Sequence, residues 1–157
     1  MTSYAFAVQW LKAFRRDPEE VAALYADDFI FEDPILDQLQ ITDKPTLIRA
    51  FSLFANADTT NGIGIHNIRV RSFQGDHRSA LIRWEWSPQH AARFLGLDVK
   101  DKTFWTQGRS FHTYDSTGKI TRDSAWWDPT AWLTSIGYGG VAKSLLTKQP
   151  QSTRNPK

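Results

Sequence analysis

The stretch Ala23–Pro34, which reads ALYADDFIFEDP, decides the fold. It begins at the end of a short helix and continues as a strand. Strand alternation separates its side chains into two faces: Phe29, Phe31 and Asp33 against Ile30 and Glu32. If the two phenylalanines face the core, Asp33 faces it too, and a core-facing carboxylate is costly unless it is paired or used. Asp33 is therefore predicted to act either as a cap or as a general base.

The composition is that of one globular domain. The chain has 157 residues, of which 41% are apolar and 23% are charged, and this length is enough to bury a substantial core. Seven tryptophans, ten phenylalanines and four tyrosines suit the walls of an internal cavity, although they could equally fill an ordinary core. We expect a single domain over residues 1–140.

The net charge of +2 comes from the C-terminal end of the chain. Residues 141–157 hold four of the 19 basic residues and none of the 17 acidic ones, so the remainder has a net charge of −2. This tail is predicted to be basic and disordered, and the body is not a polyanion-binding surface, so no nucleic-acid partner is expected. With no cysteine, disulfides and thiol catalysis are excluded.

The sequence lacks the patterns typical of secreted, membrane-spanning and metal-binding proteins. The chain has no signal-peptide pattern and no apolar stretch of 18 residues, which predicts a cytoplasmic protein without a membrane partner. Its four histidines show no metal-ligand spacing, so neither a metal nor another cofactor is expected.

Apart from the strand that ends at Asp33, the hydrophobic periodicity changes once along the chain. Apolar residues recur at helical spacing over 4–15, 18–26 and 44–56, and an irregular stretch without a helical pattern follows Asp33. From Ile65 the period becomes two, which predicts strands at 65–73, 78–87, 103–114 and 119–127. A short helix is possible at Ala91–Leu95, and a last helix is predicted at 129–136. This order indicates an α+β fold in which a curved antiparallel sheet wraps around N-terminal helices.

Two groups of motifs carry a resemblance to a known superfamily. One is Leu24–Asp28 followed by Phe31–Pro34; the other is Gly118–Ile120 with Trp127-Asp128 and Ile136-Gly137. Over residues 4–137 the chain resembles the nuclear transport factor 2-like superfamily, and within it the steroid delta-isomerases and SnoaL-like polyketide cyclases. The resemblance implies a cone-shaped fold that encloses a cavity, with Asp33 at the position of the isomerases' proton-shuttling base.

The remaining family positions are only partly matched. The isomerases' helix-1 tyrosine falls near Trp10, and their protonated aspartic acid falls on Ser110. The cyclases' acid/base aspartate falls on Ala125, and their histidine falls near Ser110 or Phe111. The register of the resemblance favours one inward-facing set on the sheet: Trp84, Ser110, His112, Tyr114, Asp123 and Trp127.

These residues define the candidate site. Asp33 is the candidate base, because desolvation in an aromatic cavity raises the pKa of a carboxyl group. His112 and Asp123 could pair across adjacent strands for acid/base work, or form a satisfied buried pair. Ser110 and the Trp10 indole could donate to an oxyanion, although Trp10 could simply fill the core. The expected substrate-binding set is Trp10, Phe14, Phe54, Trp84, Ser110, Tyr114 and Trp127.

The opposite parity of the same strands is rich in arginine and aromatic residues: Arg69, Arg71, Arg83, Trp105, Arg109, Phe111, Arg122 and Trp126. Such residues are frequent at protein interfaces, and relatives in the resembled superfamily dimerise through this surface. We expect a homodimer through this outer sheet face, with a solvated face as the alternative.

The sequence therefore predicts a cofactor-free enzyme in which Asp33 shuttles a proton during isomerisation, cyclisation or dehydration. The substrate would be a hydrophobic polycyclic or terpenoid-like molecule. The first alternative is a non-catalytic ligand-binding or dimeric interaction module. A lesser alternative is an epoxide hydrolase that uses Asp33, Arg109 and Asp123, for which Arg109 has the wrong parity.

Overall fold

The computed structural model describes residues 3–56, 64–94, 97–99 and 105–138. Three capped helices lie in the first third of the chain. Helix α1 spans Tyr4–Arg16, α2 spans Pro18–Ala22 and α3 spans Lys44–Phe51. Their N-caps are Ser3, Asp17 and Asp43, and each cap side chain accepts a backbone N–H of the first turn. Helix α4 spans Pro129–Ser135. None of the helices in these ranges is long and apolar enough to cross a membrane.

Five strands form the main sheet: β1 (Tyr25–Glu32), β2 (Ile65–Gly75), β3 (Ser79–Gln89), β6 (Thr106–Tyr114) and β7 (Ile120–Trp127). Their order is β1-β7-β6-β3-β2, and the sheet does not close on itself. The predicted antiparallel meander is present from β2 to β7, but β1 joins β7 in parallel, so the sheet is mixed. Parallel pairing requires a long connection between the two strands. Strands β2, β3 and β6 lie between β1 and β7 in the chain and provide that length.

The segment after β3 differs from the prediction. Instead of a helix at Ala91–Leu95, the chain forms β4 (Arg93–Phe94), which pairs with β5 (Leu97–Asp98). The amide of Val99 donates to the carbonyl of Ala92 at 3.0 Å, which holds this small hairpin together. The helix prediction was wrong over Ala91–Phe94, because the backbone groups there pair with the strand Leu97–Asp98 and with Val99 instead of within one helical turn.

The core lies between the helices and the concave face of the sheet. Ala7, Trp10 and Leu11 of α1 are buried against it, and Tyr25, Ile82 and Ile120 of the sheet are completely buried. The second helix is shorter than predicted, since Tyr25 already belongs to β1. The predicted tail 141–157, and most of the predicted loop 59–64, lie outside the described residues.

Candidate active site

A cavity opens between α1, α3 and the concave face of the sheet. The space open to water molecules there is about 60 Å³, which is well above the minimum needed to hold a water molecule. Its walls are almost entirely apolar, with three polar exceptions: Asp33, Ser110 and Asp123. The full lining is Trp10, Leu11, Phe14, Phe31, Asp33, Leu36, Phe51, Phe54, Ile68, Trp84, Trp86, Ser110, Asp123, Ala125 and Trp127.

Asp33 follows directly after β1 and is only 6% exposed. Its Oδ1 accepts the backbone N–H groups of Ile35 and Leu36, at 2.8 and 2.9 Å. These bonds hold the start of a short 3-10 helix, Leu36–Leu39, where no helical pattern was recognised in the sequence. That expectation was wrong, because a single 3-10 turn is too short to show a helical period.

The second oxygen of Asp33 is bound to a residue of the cavity wall. Asp33 Oδ2 accepts the indole N–H of Trp127 at 3.1 Å. Burial raises the pKa of the Asp33 carboxyl above its usual value, and the hydrogen bonds from Leu36, Ile35 and Trp127 oppose this effect. The charge of Asp123 adds to the increase. Asp33 is thus a desolvated carboxyl group on the wall of an apolar cavity, with one oxygen held by backbone amides and the other by the indole of Trp127.

Asp123 places a second carboxylate on the same wall. It is 2% exposed and lies beside Phe31 of β1 in the parallel register. Its Oδ2 accepts the hydroxyl of Tyr25 at 2.6 Å, and that hydroxyl in turn accepts the indole N–H of Trp10 at 3.3 Å. Burial, followed by the charge of Asp123, raises the pKa of Tyr25 well above its usual value, so Tyr25 stays protonated as a donor.

His112 lies directly across the ladder from Asp123, which is the arrangement considered for an inward-facing pair on adjacent strands. His112 Nε2 and Asp123 Oδ1 are 3.3 Å apart, but neither atom makes a hydrogen bond with the described residues. His112 Nδ1 lies 3.3 Å from the hydroxyl of Tyr114. His112 and Asp123 are therefore neighbours, although His112 is completely buried and does not line the cavity.

Tyr114 also lies behind the cavity wall. It is 8% exposed, packs edge-on against Phe6 and is absent from the cavity lining. Burial raises the pKa of its hydroxyl, with a contribution from Asp123. Of the ten predicted site residues, only His112 and Tyr114 contribute no surface to the cavity.

Ser110 and Trp84 form a polar pair on the sheet side of the cavity. The Trp84 indole N–H donates to Ser110 Oγ at 3.2 Å, so the hydroxyl hydrogen of Ser110 is available to another acceptor. Trp84 lies against Gly108, where any Cβ would overlap with its indole ring. The glycine thus lets a large ring lie flat on β6.

Aromatic rings complete the walls. Phe14 contacts Phe51 and Phe54, with ring centroids 4.5 and 4.9 Å apart, and Trp10 tilts against Phe14 at 6.2 Å. Trp86 meets Trp127 edge-on at 5.9 Å and donates its indole N–H to the buried His66 at 2.9 Å.

Several lining residues were not among the predicted site residues: Leu11, Phe31, Leu36, Phe51, Ile68, Trp86 and Ala125. The strand members could have been found from their parity. Trp86 shares the face of Ile82 and Trp84, and Phe31 shares that of Asp33. Leu36 gave no such signal, because it lies in the short 3-10 helix.

The arginines lie on the convex face of the sheet, as their parity predicted. Arg69, Arg71, Arg83 and Arg109 are exposed, and Arg109 stacks its guanidinium over the ring of Trp126 at 5.9 Å. Arg109 is thus on the opposite side of the sheet from Asp33 and Asp123, which removes the arginine that an epoxide hydrolase of the expected type requires. Among the described residues, no three potential ligands cluster to hold a metal ion.

No family model matches the sequence, and no curated protein is matched by it. Solved structures do match in fold. One is a SnoaL-like polyketide cyclase from Shewanella putrefaciens, with 12% identity and a TM-score of 0.66 over 87% of this chain and 86% of that chain. A protein of ketosteroid isomerase-like fold from Catenulispora acidiphila, solved with trimethylamine, has 14% identity and a TM-score of 0.61, covering 82% and 88%.

The epoxide hydrolase/cyclase-like enzyme SalBIII, of pyran ring formation in salinomycin, has 14% identity and a TM-score of 0.58, covering 80% of this chain and 89% of its own. The chain shares the nuclear transport factor 2-like fold with these proteins. At 12–14% identity the likeness concerns the fold alone.

Proposed function

We propose that the protein is a cofactor-free enzyme that moves a proton within a hydrophobic small molecule, with Asp33 as the general base. The observation that carries this proposal is a buried carboxyl group with a raised pKa on the wall of an apolar cavity. A base of this kind accelerates proton transfer by about 10²–10⁴. Isomerisation, cyclisation and dehydration all begin with such a step.

The proton would travel as follows. Asp33 removes it from a carbon next to a carbonyl group, and the electron pair of the broken C–H bond moves onto the carbonyl oxygen. The Ser110 hydroxyl, the polar group on the sheet side of the cavity, would donate to that oxygen and stabilise its charge. The protonated Asp33 then returns the proton to another carbon, so the base is regenerated.

Asp123, with His112 behind it, would serve as the second acid/base group. Asp123 is part of the cavity lining, and His112 would act through Asp123 as a positioning residue. The hydrogen bond from Tyr25 fixes one oxygen of Asp123. The other oxygen is buried 3.3 Å from His112 Nε2 and lacks a hydrogen-bond partner among the described residues, so we assign the second acid/base role to Asp123 and His112 as a pair.

The walls favour an apolar substrate of compact shape, such as a polycyclic or terpenoid-like molecule. Trp10, Phe14, Phe54, Trp84 and Trp127 would contact it through ring faces and edges. The cavity is narrow, so a substrate of several rings would displace the half-buried Trp84 and Trp127 at its margin.

The test is Kemp elimination of 5-nitrobenzisoxazole, a small bicyclic probe whose ring opens to a coloured phenolate when a base removes its C3 proton. We expect the wild type to accelerate this reaction and Asp33→Asn to lose at least 10²-fold of the acceleration. Asp28→Asn, which removes an exposed carboxylate from the same strand, is the matched control and should keep the wild-type rate. Equal rates for the wild type and Asp33→Asn would contradict the proposal.

The alternative is a non-catalytic ligand-binding module, which the same cavity would also suit. It predicts tight binding of apolar molecules without any Asp33-dependent proton transfer. The homodimer through the outer sheet face stays a prediction, supported by the exposed rings of Trp105 and Trp126. Light scattering on the full chain measures it directly.

A further inference from the structure

The four tryptophans that line the cavity share one feature: each donates its indole N–H to another side chain. The pairs are Trp10 with Tyr25, Trp84 with Ser110, Trp86 with His66 and Trp127 with Asp33. Tyr25, Ser110 and Asp33 already have a place in the candidate site. His66 does not line the cavity, and it is thus a buried histidine tied directly to the cavity wall from behind.

His66 is held firmly near the start of β2. Its side chain is completely buried. Its backbone N–H donates to the side-chain oxygen of Asn56 at 2.7 Å, and its carbonyl accepts from the side-chain nitrogen of Asn56 at 3.2 Å. The backbone N–H of Asn56 in turn donates to the carbonyl of Arg15, in the last turn of α1, at 2.6 Å. The backbone of His66 is therefore tied to the C-terminal end of α1.

The bond between Trp86 and His66 defines the state of both rings. The indole nitrogen lies 2.9 Å from His66 Nδ1, and the two ring planes are parallel within 2°. An indole can only donate, so Nδ1 accepts, and the imidazole is neutral with its hydrogen on Nε2. Phe54, which also lines the cavity, packs edge-on against both rings, with centroids 5.5 Å from His66 and 5.8 Å from Trp86. His66 therefore supports two aromatic residues of the wall.

Trp86 also connects His66 to the candidate base. The ring of Trp86 meets that of Trp127 edge-on at 5.9 Å, and the Trp127 indole N–H donates to Asp33 Oδ2 at 3.1 Å. This hydrogen bond lowers the pKa of Asp33, against the larger effect of burial. Rings in a close-packed wall do not move independently, so a displacement of Trp86 would move Trp127 and weaken its bond to Asp33.

From this chain of contacts we infer that His66 is a positioning residue of the cavity: by accepting from Trp86, it holds the wall formed by Trp86 and Trp127 and thereby the hydrogen bond that Asp33 receives. The inference rests on the proposed function, in which Asp33 is the base. His66 is not part of the cavity lining, so its action passes through the two indoles.

The experiment compares His66→Leu, which removes the acceptor, with His66→Asn, whose side-chain oxygen can accept in place of Nδ1. The pKa of Asp33 is measured by carbon NMR on the full chain, isotopically labelled at the aspartate carboxyl groups. We expect the pKa of Asp33 to rise in His66→Leu, because a hydrogen bond that lowers it is weakened. In His66→Asn it should stay at the wild-type value.

The signal of Asp33 must be separated from those of its neighbours. Asp123 raises the pKa of Asp33 through its charge, and Asp37 accepts the backbone N–H of Asp33 at 2.6 Å. Asp33→Asn, Asp37→Asn and Asp123→Asn each remove one labelled signal from the spectrum. The three variants therefore assign the signals, and the shift is attributed to the correct carboxyl group.

The kinetics of Kemp elimination supply a second measurement. We expect His66→Leu to raise KM for 5-nitrobenzisoxazole by about fivefold, the effect of a lost aromatic contact, and His66→Asn to stay within about twofold of the wild type. Trp86→Phe removes the same hydrogen bond from the donor side, so adding His66→Leu to it should not change the pKa of Asp33 further. His77→Leu, which removes an exposed histidine between β2 and β3, is the matched control and should behave as the wild type.

An unchanged pKa of Asp33 in folded His66→Leu would overturn the inference. A shift of equal size in His66→Asn would overturn it too, because the bulk of the imidazole and not its acceptor would then be responsible. If His66→Leu does not fold, Trp86→Phe decides the question alone: the pKa of Asp33 must rise in it, and an unchanged value contradicts the inference.

Failure of this inference is separable from failure of the proposed function, since the NMR measurement needs no catalysis. A shift of the Asp33 pKa in His66→Leu, in a protein without Kemp elimination, would contradict the proposed function and support the positioning of Asp33 by His66. Kemp elimination that requires Asp33 but has the same KM and the same Asp33 pKa in His66→Leu would contradict the inference alone.

Discussion

Asp33 combines the two roles that its sequence position left open. One oxygen holds two backbone amides of the following turn, as a cap does, and the other receives the indole N–H of Trp127 beside the cavity. The capping bonds fix the carboxyl group in place, which a general base also needs. A cap and a base are thus compatible readings of the same side chain.

The first prediction concerns the stability of Asp33→Asn as a function of pH. Because the pKa of Asp33 is raised in the folded state above the usual 3.8, the unfolded chain ionises first as the pH increases. The folded wild type then holds more protons than the unfolded chain, so its stability falls between pH 3.8 and the raised pKa. Asparagine does not titrate, so the stability of Asp33→Asn does not fall in this way.

We therefore expect the free energy of unfolding of Asp33→Asn, relative to the wild type, to increase through that pH window by about 1.4 kcal/mol per unit of pKa shift. Denaturant unfolding at a series of pH values measures it, with Asp28→Asn as the exposed control. A relative stability that decreases with pH would show that the carboxyl group is stabilised in its ionised form.

The second prediction compares the two buried tyrosines. Tyr25→Phe removes a 2.6 Å hydrogen bond to the buried Asp123 carboxylate, which should cost about 2–3 kcal/mol of unfolding free energy. Tyr114→Phe removes a 3.3 Å contact with His112 and should cost about 1 kcal/mol. Chemical denaturation of both variants provides the measurement. Equal losses of unfolding free energy would mean that the hydrogen bond from Tyr25 to Asp123 stabilises the fold no more than the contact between Tyr114 and His112.

Side-chain parity divided the strand residues into two sets, and the register of the resemblance favoured the inward one, but neither carries information on depth. Asp33, Ser110 and Asp123 were expected on the inner face and line the cavity there. His112 and Tyr114 have the same parity and yet lie behind the wall. Their distance from the cavity depends on how α1 packs against the sheet, which no local pattern encodes.

At the scale of elements, the positions of the strands were predicted more reliably than the pairing between them. The four strands of the meander were found because alternation is strong and their turns carry Asp and Gly: Asp115 accepts the amides of Thr117 and Lys119 in the last turn. The parallel pairing of β1 could not be read from the sequence, since β1 and β7 are about ninety residues apart and no turn constrains them.

The third prediction concerns Gly108 in β6. A methyl group there overlaps with the Trp84 indole, so Gly108→Ala should displace the ring, break its bond to Ser110 and cost about 1–3 kcal/mol. Gly118→Ala is the control: its φ of +87° makes alanine strained, at about 1 kcal/mol, but nothing lies near the added atom.

Both Gly108→Ala and Gly118→Ala should therefore lose stability in chemical denaturation. Only Gly108→Ala should change near-ultraviolet circular dichroism, because only it moves an aromatic ring. An unchanged spectrum in Gly108→Ala would contradict the close packing of Trp84 on β6.

At the scale of the whole molecule, the charge is unevenly divided between body and tail. The sequence places the excess of positive charge in residues 141–157, and we propose that residues 1–140 form the folding unit. Removal of 141–157 should leave the melting temperature within about 2 °C of the full chain and make the net charge negative. Calorimetry checks the first result and electrophoretic mobility the second. A drop of more than about 5 °C would mean that the tail packs on the domain.

The ring of tryptophans around the cavity has a practical consequence. Four of the seven indoles in the chain, Trp10, Trp84, Trp86 and Trp127, surround the same small space. A molecule bound in the cavity would therefore contact more than half of the tryptophans that contribute to the intrinsic fluorescence of the chain. Binding in the cavity should therefore change the wavelength and the intensity of tryptophan emission. A library of unlabelled compounds can be screened by this signal.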